Sequence, residues 1–203
     1  MSKFNENNGV LIQGHIKIHD PESGAVFVNK RNAIHYENMS VALAESVANQ
    51  GQGFINSMAF GNGGTSVDPT GIITYLTPNS TGTNASLYNQ TYTKVVDDRS
   101  VTNLDPQRNK IETRHVNGTN YTDVLVTCLL DYGEPNGQDA VDQASQANSL
   151  YVFDELGLVS NSPSGTGKLL THVIFHPVQK SLNRLVQIDY TVRVQSLTGF
   201  NEG

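Results

Sequence analysis

The sequence contains a single cysteine and no tryptophan, and few of its residues are charged. With Cys128 alone, the chain has no partner for an internal disulfide, so no covalent cross-link stabilises the fold. Cys128 lies in the apolar run VLVTCLL, which predicts a small buried thiol without a chemical role. Charged residues make up 16% of the chain and hydrophobic residues 37%, and this balance excludes typical disorder.

Basic clusters and long apolar runs are also missing. The chain carries 13 Lys and Arg against 19 Asp and Glu, and its net charge of −6 argues against nucleic acid and anionic membranes as partners. No run of about 18 apolar residues occurs, and the N-terminal MSKFNENNG lacks the apolar core of a signal peptide. We therefore expect a protein that is synthesised and folded in a cytoplasm and has no membrane span.

Asn, Thr, Ser and Gly are abundant instead, which is typical of short strands joined by polar turns. The chain is long enough for a sizeable core, so we predict one domain over residues 1–203, with long loops near 77–86 and 132–149. About ten strands and one helix predict a mostly β fold, an antiparallel β-sandwich with the helix packed on it. The predicted strands cover residues 10–19, 25–29, 54–60, 71–76, 87–96, 110–116, 121–131, 150–159, 168–176 and 182–195.

The one predicted helix occupies about residues 33–50, within VFVNKRNAIHYENMSVALAESVANQGQGFINSMAFGNGGT at 26–65. Asn32 stands where an N-cap belongs, and Gly51 and Gly53 are typical C-terminal stops. Apolar residues recur on two sides, one stripe being Tyr36, Met39, Leu43 and Val47, the other Ile34, Val41, Ala44 and Ala48. The helix is therefore expected to pack on more than one face.

The strand that follows this helix ends in a glycine-rich turn. Gly61, Gly63 and Gly64 lie within four residues of one another, directly after the apolar run that ends at Phe60. Glycine adopts positive φ without steric cost, so we expect this turn to use that conformation.

Residues 182–195 show the clearest alternation of apolar and polar side chains. The residues predicted to face the core are Val186, Ile188, Tyr190, Val192 and Val194. The opposite side of the strand carries Gln187, Asp189, Thr191, Arg193 and Gln195. This polar face should be wet or lie at an interface, and these five residues are our candidate interface.

Residues 162–169, SPSGTGKL, resemble a phosphate-binding loop only superficially. The motif requires Gly where Ser162 stands, and Ser or Thr after Lys168, where the chain has Leu169. A helix should also follow, whereas LLTHVIFH is typical of a strand. The sequence therefore predicts no nucleotide cofactor.

The sequence offers two kinds of candidate metal site. His15 and His19, like His172 and His176, are four residues apart, a spacing that on a strand separates the rings by roughly 13 Å and disfavours a shared ion. A site that combines histidines from different strands stays open as an alternative. Oxygen ligands for Ca²⁺ are offered by Asp131, Glu134, Asn136 and Asp139. Their spacing matches no established calcium loop, and a solvated turn is favoured.

Catalytic signatures are lacking. Asp97 and Asp98 are adjacent, so on an extended chain their carboxylates point to opposite faces and cannot act as a pair. No nucleophile elbow occurs, and Cys128 has no electropositive neighbour in sequence. We therefore predict a protein that is not an enzyme and takes no small-molecule substrate or cofactor.

Four segments keep an order that is similar to one family. The first segment begins at residue 30 and combines a strand with a basic end, a helix, and a strand that closes on a glycine turn; it reads KRNAIHYENMSVALAESVANQGQGFINSMAFGNGGTSVDPT. The later segments are FDELGL at 153–158, GKLLTHVIF at 167–175 and QKS at 179–181. Together they resemble structural proteins of tailed bacteriophages, most of all virion proteins of large contractile-tailed phages. Residues 78–84 and 132–149 have no counterpart in the pattern.

This resemblance implies a non-enzymatic virion component of the tail, baseplate or neck, oligomeric in place. Its partners would be other virion proteins and copies of itself, and its location the virion after synthesis in the host cytoplasm. The alternative is a carbohydrate- or receptor-binding module of a tail fibre, or a capsid decoration protein. In a sugar-binding module Tyr75, Tyr88, Tyr92 and Tyr121 would supply stacking surfaces.

Overall fold

A computed structural model of the chain describes residues 9–82, 85–135, 150–162 and 167–197. This part of the chain forms eleven strands and one helix. In chain order the elements are β1 Gly9–His19, β2 Val26–Ile34, α1 Tyr36–Val47, β3 Ile55–Gly61, β4 Thr65–Val67, β5 Ile73–Tyr75, β6 Gln90–Val95, β7 Lys110–His115, β8 Tyr121–Leu130, β9 Leu150–Ser160, β10 Thr171–Ser181 and β11 Val186–Leu197.

Nine of these strands form one antiparallel sheet in the order β6-β3-β9-β10-β2-β1-β11-β8-β7, while β4 and β5 pair with each other. The link between β10 and β2 consists of two residue pairs, Thr171 with Ile34 and His172 with Ala33. The other pairings are longer, for example eleven residue pairs between β1 and β11. The sheet therefore has a four-strand part, β6-β3-β9-β10, and a five-strand part, β2-β1-β11-β8-β7.

Both parts of the sheet contribute to one hydrophobic core. Phe153 of β9 lies edge-on to Phe60 of β3, at 5.4 Å between ring centroids, and to Phe175 of β10, at 5.7 Å. The same cluster includes Ile188 and Tyr190 of β11, from the five-strand part. The sheet curls around these side chains because burying its apolar faces against each other removes them from water. The prediction of a mostly β, antiparallel, sandwich-like fold with one helix is confirmed.

The helix is shorter than predicted at both ends, since it covers Tyr36–Val47 where about residues 33–50 were expected. Asn32 is not its N-cap, because β2 continues through Asn32 to Ile34 by pairing with β1 and β10. His35 caps the helix instead, its Nδ1 accepting a hydrogen bond of 3.2 Å from the backbone N–H of Asn38. At the other end Ala48 is the C-cap, and the chain turns at Asn49, whose φ is 53°.

Only one side of the helix is buried, through Asn38, Met39 and Ala42. Tyr36 is 71% exposed and Val47 is 88% exposed. The expectation that the helix packs on more than one face is therefore wrong, because its buried side chains lie on one side, and Ala44 and Ala48 of the second apolar stripe are exposed. In the described part of the chain, no helix has the length and apolar character needed to cross a lipid bilayer.

The predicted strands all find counterparts, although several boundaries differ. β10 runs beyond residue 176 to Ser181, because a bulge between Ile174 and Val178 accommodates Pro177. β4 was not predicted, since three residues are too few to show a period. Most of the predicted loop at 132–149 lies outside the described residues, as do residues 83 and 84 of the loop near 77–86.

Candidate binding surface

The outer face of the five-strand part is built around the polar side of β11. Val186, Ile188, Tyr190 and Val192 are buried, as the period of two predicted, while Val194 is only half-buried. All five candidate interface residues, Gln187, Asp189, Thr191, Arg193 and Gln195, are half-buried on the opposite side. Their role as an interface remains a prediction.

Ion pairs hold several of these side chains in place. Arg193 donates two hydrogen bonds to the Asp123 carboxylate, from Nε at 2.7 Å and Nη2 at 2.8 Å, and its guanidinium lies 3.8 Å from the ring centroid of Tyr121. These hydrogen bonds lower the pKa of Asp123, and the charge of Arg193 and Arg114 adds to the effect, outweighing the opposing influence of burial. The Arg193 side chain is therefore pre-oriented by a carboxylate and an aromatic ring.

A concave groove of about 530 Å³ lies on this outer face. Its lining includes Arg31, Arg114 and Arg193 but a single carboxylate, Asp123. The three arginines and one aspartate give a local charge of +2, in a chain whose net charge is −6. His15 also lines it and is not counted in that sum. We call this feature the arginine groove.

Strand register explains how the groove forms. His15 of β1 lies between Arg31 of β2 and Thr191 of β11. One pleat along, Asp123 of β8 lies between Arg193 of β11 and Arg114 of β7. The groove therefore crosses all five strands, and its outermost arginines are four strand spacings apart, roughly 19 Å along the backbone at about 4.8 Å per step.

Sequence reasoning missed this groove. Its three arginines are at positions 31, 114 and 193, so no basic cluster is visible along the chain. The only available signal was that each lies on the polar side of a strand with alternating character. Which strands are neighbours, and in which register, decides whether those polar sides combine into one surface.

A second polar site lies inside the four-strand part, at Glu155 of β9. Both Glu155 and His172 are fully buried, and His172 Nε2 lies 2.9 Å from Glu155 Oε2. Glu155 also accepts backbone N–H bonds from Gly63 at 3.1 Å, Tyr88 at 3.0 Å and Asn89 at 2.8 Å. One carboxylate therefore ties the turn after β3 and the loop before β6 to the sheet.

The hydrogen bonds also assign the protonation of this pair. His172 Nδ1 accepts a hydrogen bond of 2.8 Å from the backbone N–H of Asn79. The ring proton is therefore on Nε2, which donates a hydrogen bond to the Glu155 carboxylate. Burial alone would raise the pKa of Glu155, but the donors from His172 and the backbone more than offset burial and lower it. Both carboxylate oxygens are occupied and shielded from solvent, so this site is structural.

The glycine-rich turn after β3 belongs to the same site. None of Gly61, Gly63 and Gly64 has a positive φ, so the predicted reason for these glycines is wrong. A Cβ at Gly63 would lie 2.7 Å from the backbone nitrogen of Asn89, and a Cβ at Gly61 would lie 2.5 Å from the carbonyl oxygen of Asn89. The glycines are needed because the loop before β6 approaches the turn this closely.

The residues proposed as calcium ligands are engaged by cations where they are described. Arg108 Nη2 donates to an Asp131 carboxylate oxygen, and Lys94 Nζ donates to Glu134 Oε2. Asn136 and Asp139 lie outside the described residues. Across residues 9–82, 85–135, 150–162 and 167–197, no three His, Cys, Asp or Glu side chains are grouped to hold a metal ion.

The two histidine pairs have separate surroundings. His19 Nε2 lies 2.8 Å from Asp189 Oδ2 on the outer face of the sheet, and His15 lines the arginine groove. His172 is bound to Glu155, while His176 Nδ1 lies 3.3 Å from the hydroxyl of an exposed tyrosine on β5. Each imidazole therefore has a neighbour of its own in the fold.

Cys128 and Lys180 are two further buried groups whose pKa values are shifted. Cys128 is fully buried, which confirms the predicted buried thiol, and burial raises its pKa to about 12. Burial lowers the pKa of Lys180 to about 8, with the charges of Glu134 and Asp131 acting against that shift. Lys180 Nζ donates to the backbone carbonyls of Asp131 and Ser181, at 2.9 and 2.8 Å, so its role is to satisfy backbone acceptors.

The four tyrosines proposed for sugar stacking do not share one surface. Arg193 covers the ring of Tyr121, and Tyr92 is half-buried beside Phe60, at 5.8 Å between ring centroids. Tyr75 and Tyr88 are about half exposed, and Tyr88 donates its hydroxyl to a backbone carbonyl in the loop before it. The Tyr88 ring also contacts the His172 ring, at 5.7 Å between centroids, so three of the four rings already make contacts within the protein.

Comparisons with known proteins give no relative for this chain. No family model matches it, and neither curated proteins nor solved structures include a significant match.

Proposed function

We propose that this chain is a non-enzymatic structural protein of a tailed-bacteriophage virion, acting as an oligomeric assembly or connector component of the tail, baseplate or neck. The virion setting comes from the motif order described above. The observation that supports a docking role is the outer face of the five-strand part, a concave surface on which Arg193 is held in place by Asp123 and Tyr121 before any partner arrives.

The chemistry of this face is that of a protein interface. Arginine and tyrosine are enriched at interfaces, and Arg193, stacked on Tyr121, lines the groove. Because Asp123 already fixes Arg193, docking would cost little additional side-chain entropy. Exposed apolar residues adjoin the groove, with Leu11 37% exposed and Val116 48% exposed.

The buried acids are committed to a different task. Glu155 accepts four hydrogen bonds from the chain, and Asp154 accepts backbone N–H bonds from Gly64 and Thr65, both at 2.9 Å. These contacts make the loops around the four-strand part rigid. A rigid frame carrying an open polar face suits a protein that acts through its surfaces.

Mass spectrometry of purified particles from the source lysate tests this proposal. We expect the chain to be present in intact particles, in a fixed ratio to the other structural proteins, and to remain after high-salt washing. Native mass spectrometry of the purified chain, or of its complex with a neighbour, would then give the copy number. Intact particles that lack the chain, with the protein found free in the lysate, would refute a structural role.

A further inference from the structure

We infer that the arginine groove binds an extended, carboxylate-bearing segment of a partner protein. This inference rests on the proposed assembly function and names the chemistry of the partner. It is carried by three properties of the groove: its unpaired positive charge, its dimensions, and the absence of a free Phe, Tyr or Trp face among its described lining residues.

The charge argument starts from Arg31 and Arg114. Both are exposed, and within the described residues neither forms an ion pair, whereas Arg193 is already bound to Asp123. Guanidinium groups bind carboxylates through two parallel hydrogen bonds. Arg114 lies opposite Asp123 in the strand register, but the Asp123 carboxylate is already bound by Arg193, so the Arg114 guanidinium remains available for such a contact. The groove therefore offers two open carboxylate positions in a chain that is otherwise acidic.

The dimensions argue for a chain rather than a single small anion. Arg31 and Arg114 are about four strand spacings apart, roughly 19 Å, and the groove between them holds about 530 Å³. An extended peptide rises about 3.3 Å per residue, so roughly six residues span that distance. Leu125 and Val116 line part of the groove and provide apolar contact for side chains between the carboxylates.

The lining disfavours sugar and nucleic acid. Tyr121 is the one ring of Phe, Tyr or Trp among the described lining residues, and the Arg193 guanidinium covers it at 3.8 Å. Sugars and bases are both recognised mainly by stacking on an open face of Trp, Tyr or Phe, and the described lining offers no such face.

The test is binding of a labelled hexapeptide, Leu-Glu-Glu-Leu-Glu-Glu with blocked ends, measured by fluorescence anisotropy at low and at physiological salt. Its Gln-for-Glu analogue, a heparin hexasaccharide and an eight-nucleotide single strand are the comparison probes. The test variant is Arg31→Gln with Arg114→Gln. Arg99→Gln with Arg184→Gln is the matched control, since it removes the same charge from arginines outside the groove. Thermal melting verifies that all variants fold.

We expect the acidic peptide to bind the wild type, more weakly at higher salt, and the analogue not to bind. The test variant should weaken binding by about tenfold, and the control variant by less than about twofold. Equal weakening in both variants, or tighter binding of the heparin fragment or the nucleotide, would overturn the inference. These results are independent of particle composition, so the inference can fail while the chain is still found in virions, and the reverse also holds.

Discussion

Replacing Glu155 by Gln is the most direct test of how the fold is held together. The carboxylate accepts four hydrogen bonds, from the backbone N–H groups of Gly63, Tyr88 and Asn89 and from His172. Each oxygen accepts two of them. An amide has only one oxygen, so in either orientation two buried donors lose their acceptor and face an NH2 group instead.

The expected cost follows from those two donors. A buried donor without an acceptor costs about 1–3 kcal/mol, so the substitution should lower the free energy of unfolding by about 2–6 kcal/mol. That is a large part of the total for a typical domain, about 5–15 kcal/mol. Glu112→Gln is the matched control, because Glu112 is exposed and its ion pair with Lys110 should contribute less than about 1 kcal/mol.

Urea unfolding followed by circular dichroism at several pH values measures the effect. The pKa of Glu155 is lowered in the folded state from its ordinary value of 4.5, so its contribution to stability is present above that pH and is lost as pH falls below it. The difference between wild type and Glu155→Gln should therefore narrow below about pH 4. Hydrogen exchange should also accelerate most at the amides of Tyr88 and Asn89. A variant as stable as the wild type at pH 7, or a difference independent of pH, would refute the reasoning.

Three further predictions concern packing, reactivity and the outer face. Gly157→Ala should lower the free energy of unfolding by about 2 kcal/mol or more, seen as a lower urea midpoint, because the new Cβ would lie 2.3 Å from the Thr171 carbonyl oxygen. Cys128 should not react with a thiol reagent such as DTNB at pH 8 in the native state and should react fully in urea, because its pKa is about 12 and it is buried. A double-mutant cycle on Arg193 and Asp123 should give a coupling of about 1 kcal/mol in urea unfolding, smaller at 1 M salt, since the pair is partly exposed.

Each of these has a control or a contradicting result. Gly9→Ala should change stability little, because its Cβ would meet only a leucine side-chain carbon at an ordinary 3.7 Å. Reaction of Cys128 in the folded protein at the rate seen in urea would show that the core around β8 is open to solvent. A coupling of zero between Arg193 and Asp123 at low salt would mean that their hydrogen bonds do not order the groove.

The alternation of apolar and polar residues predicted burial correctly where one side of a strand packs against the core. In β11 the alternation from Val186 to Val192 requires only that one side meets the core, and the structure agrees. The same reasoning failed for α1. The stripe that carries the core residue Met39 ends in Tyr36 and Val47, which are exposed, and Ala44 and Ala48 of the second stripe are exposed as well. The reasoning also failed at Asn32, because pairing of β2 with its neighbours outweighed a local N-cap signal.

The amino-acid sequence by itself determined the secondary-structure class, the turns and the side of each strand that seeks the core, because those depend on periods of two or 3.6 residues along a single segment. Only the tertiary structure decided which polar sides meet. Arg31, Arg114 and Arg193 form one groove because β2, β7 and β11 lie in one sheet at a particular register, and Glu155 is a structural anchor because two distant loops point their N–H groups at it. Both are pairings between segments far apart in the chain, and their energy depends on neighbours that no local pattern specifies.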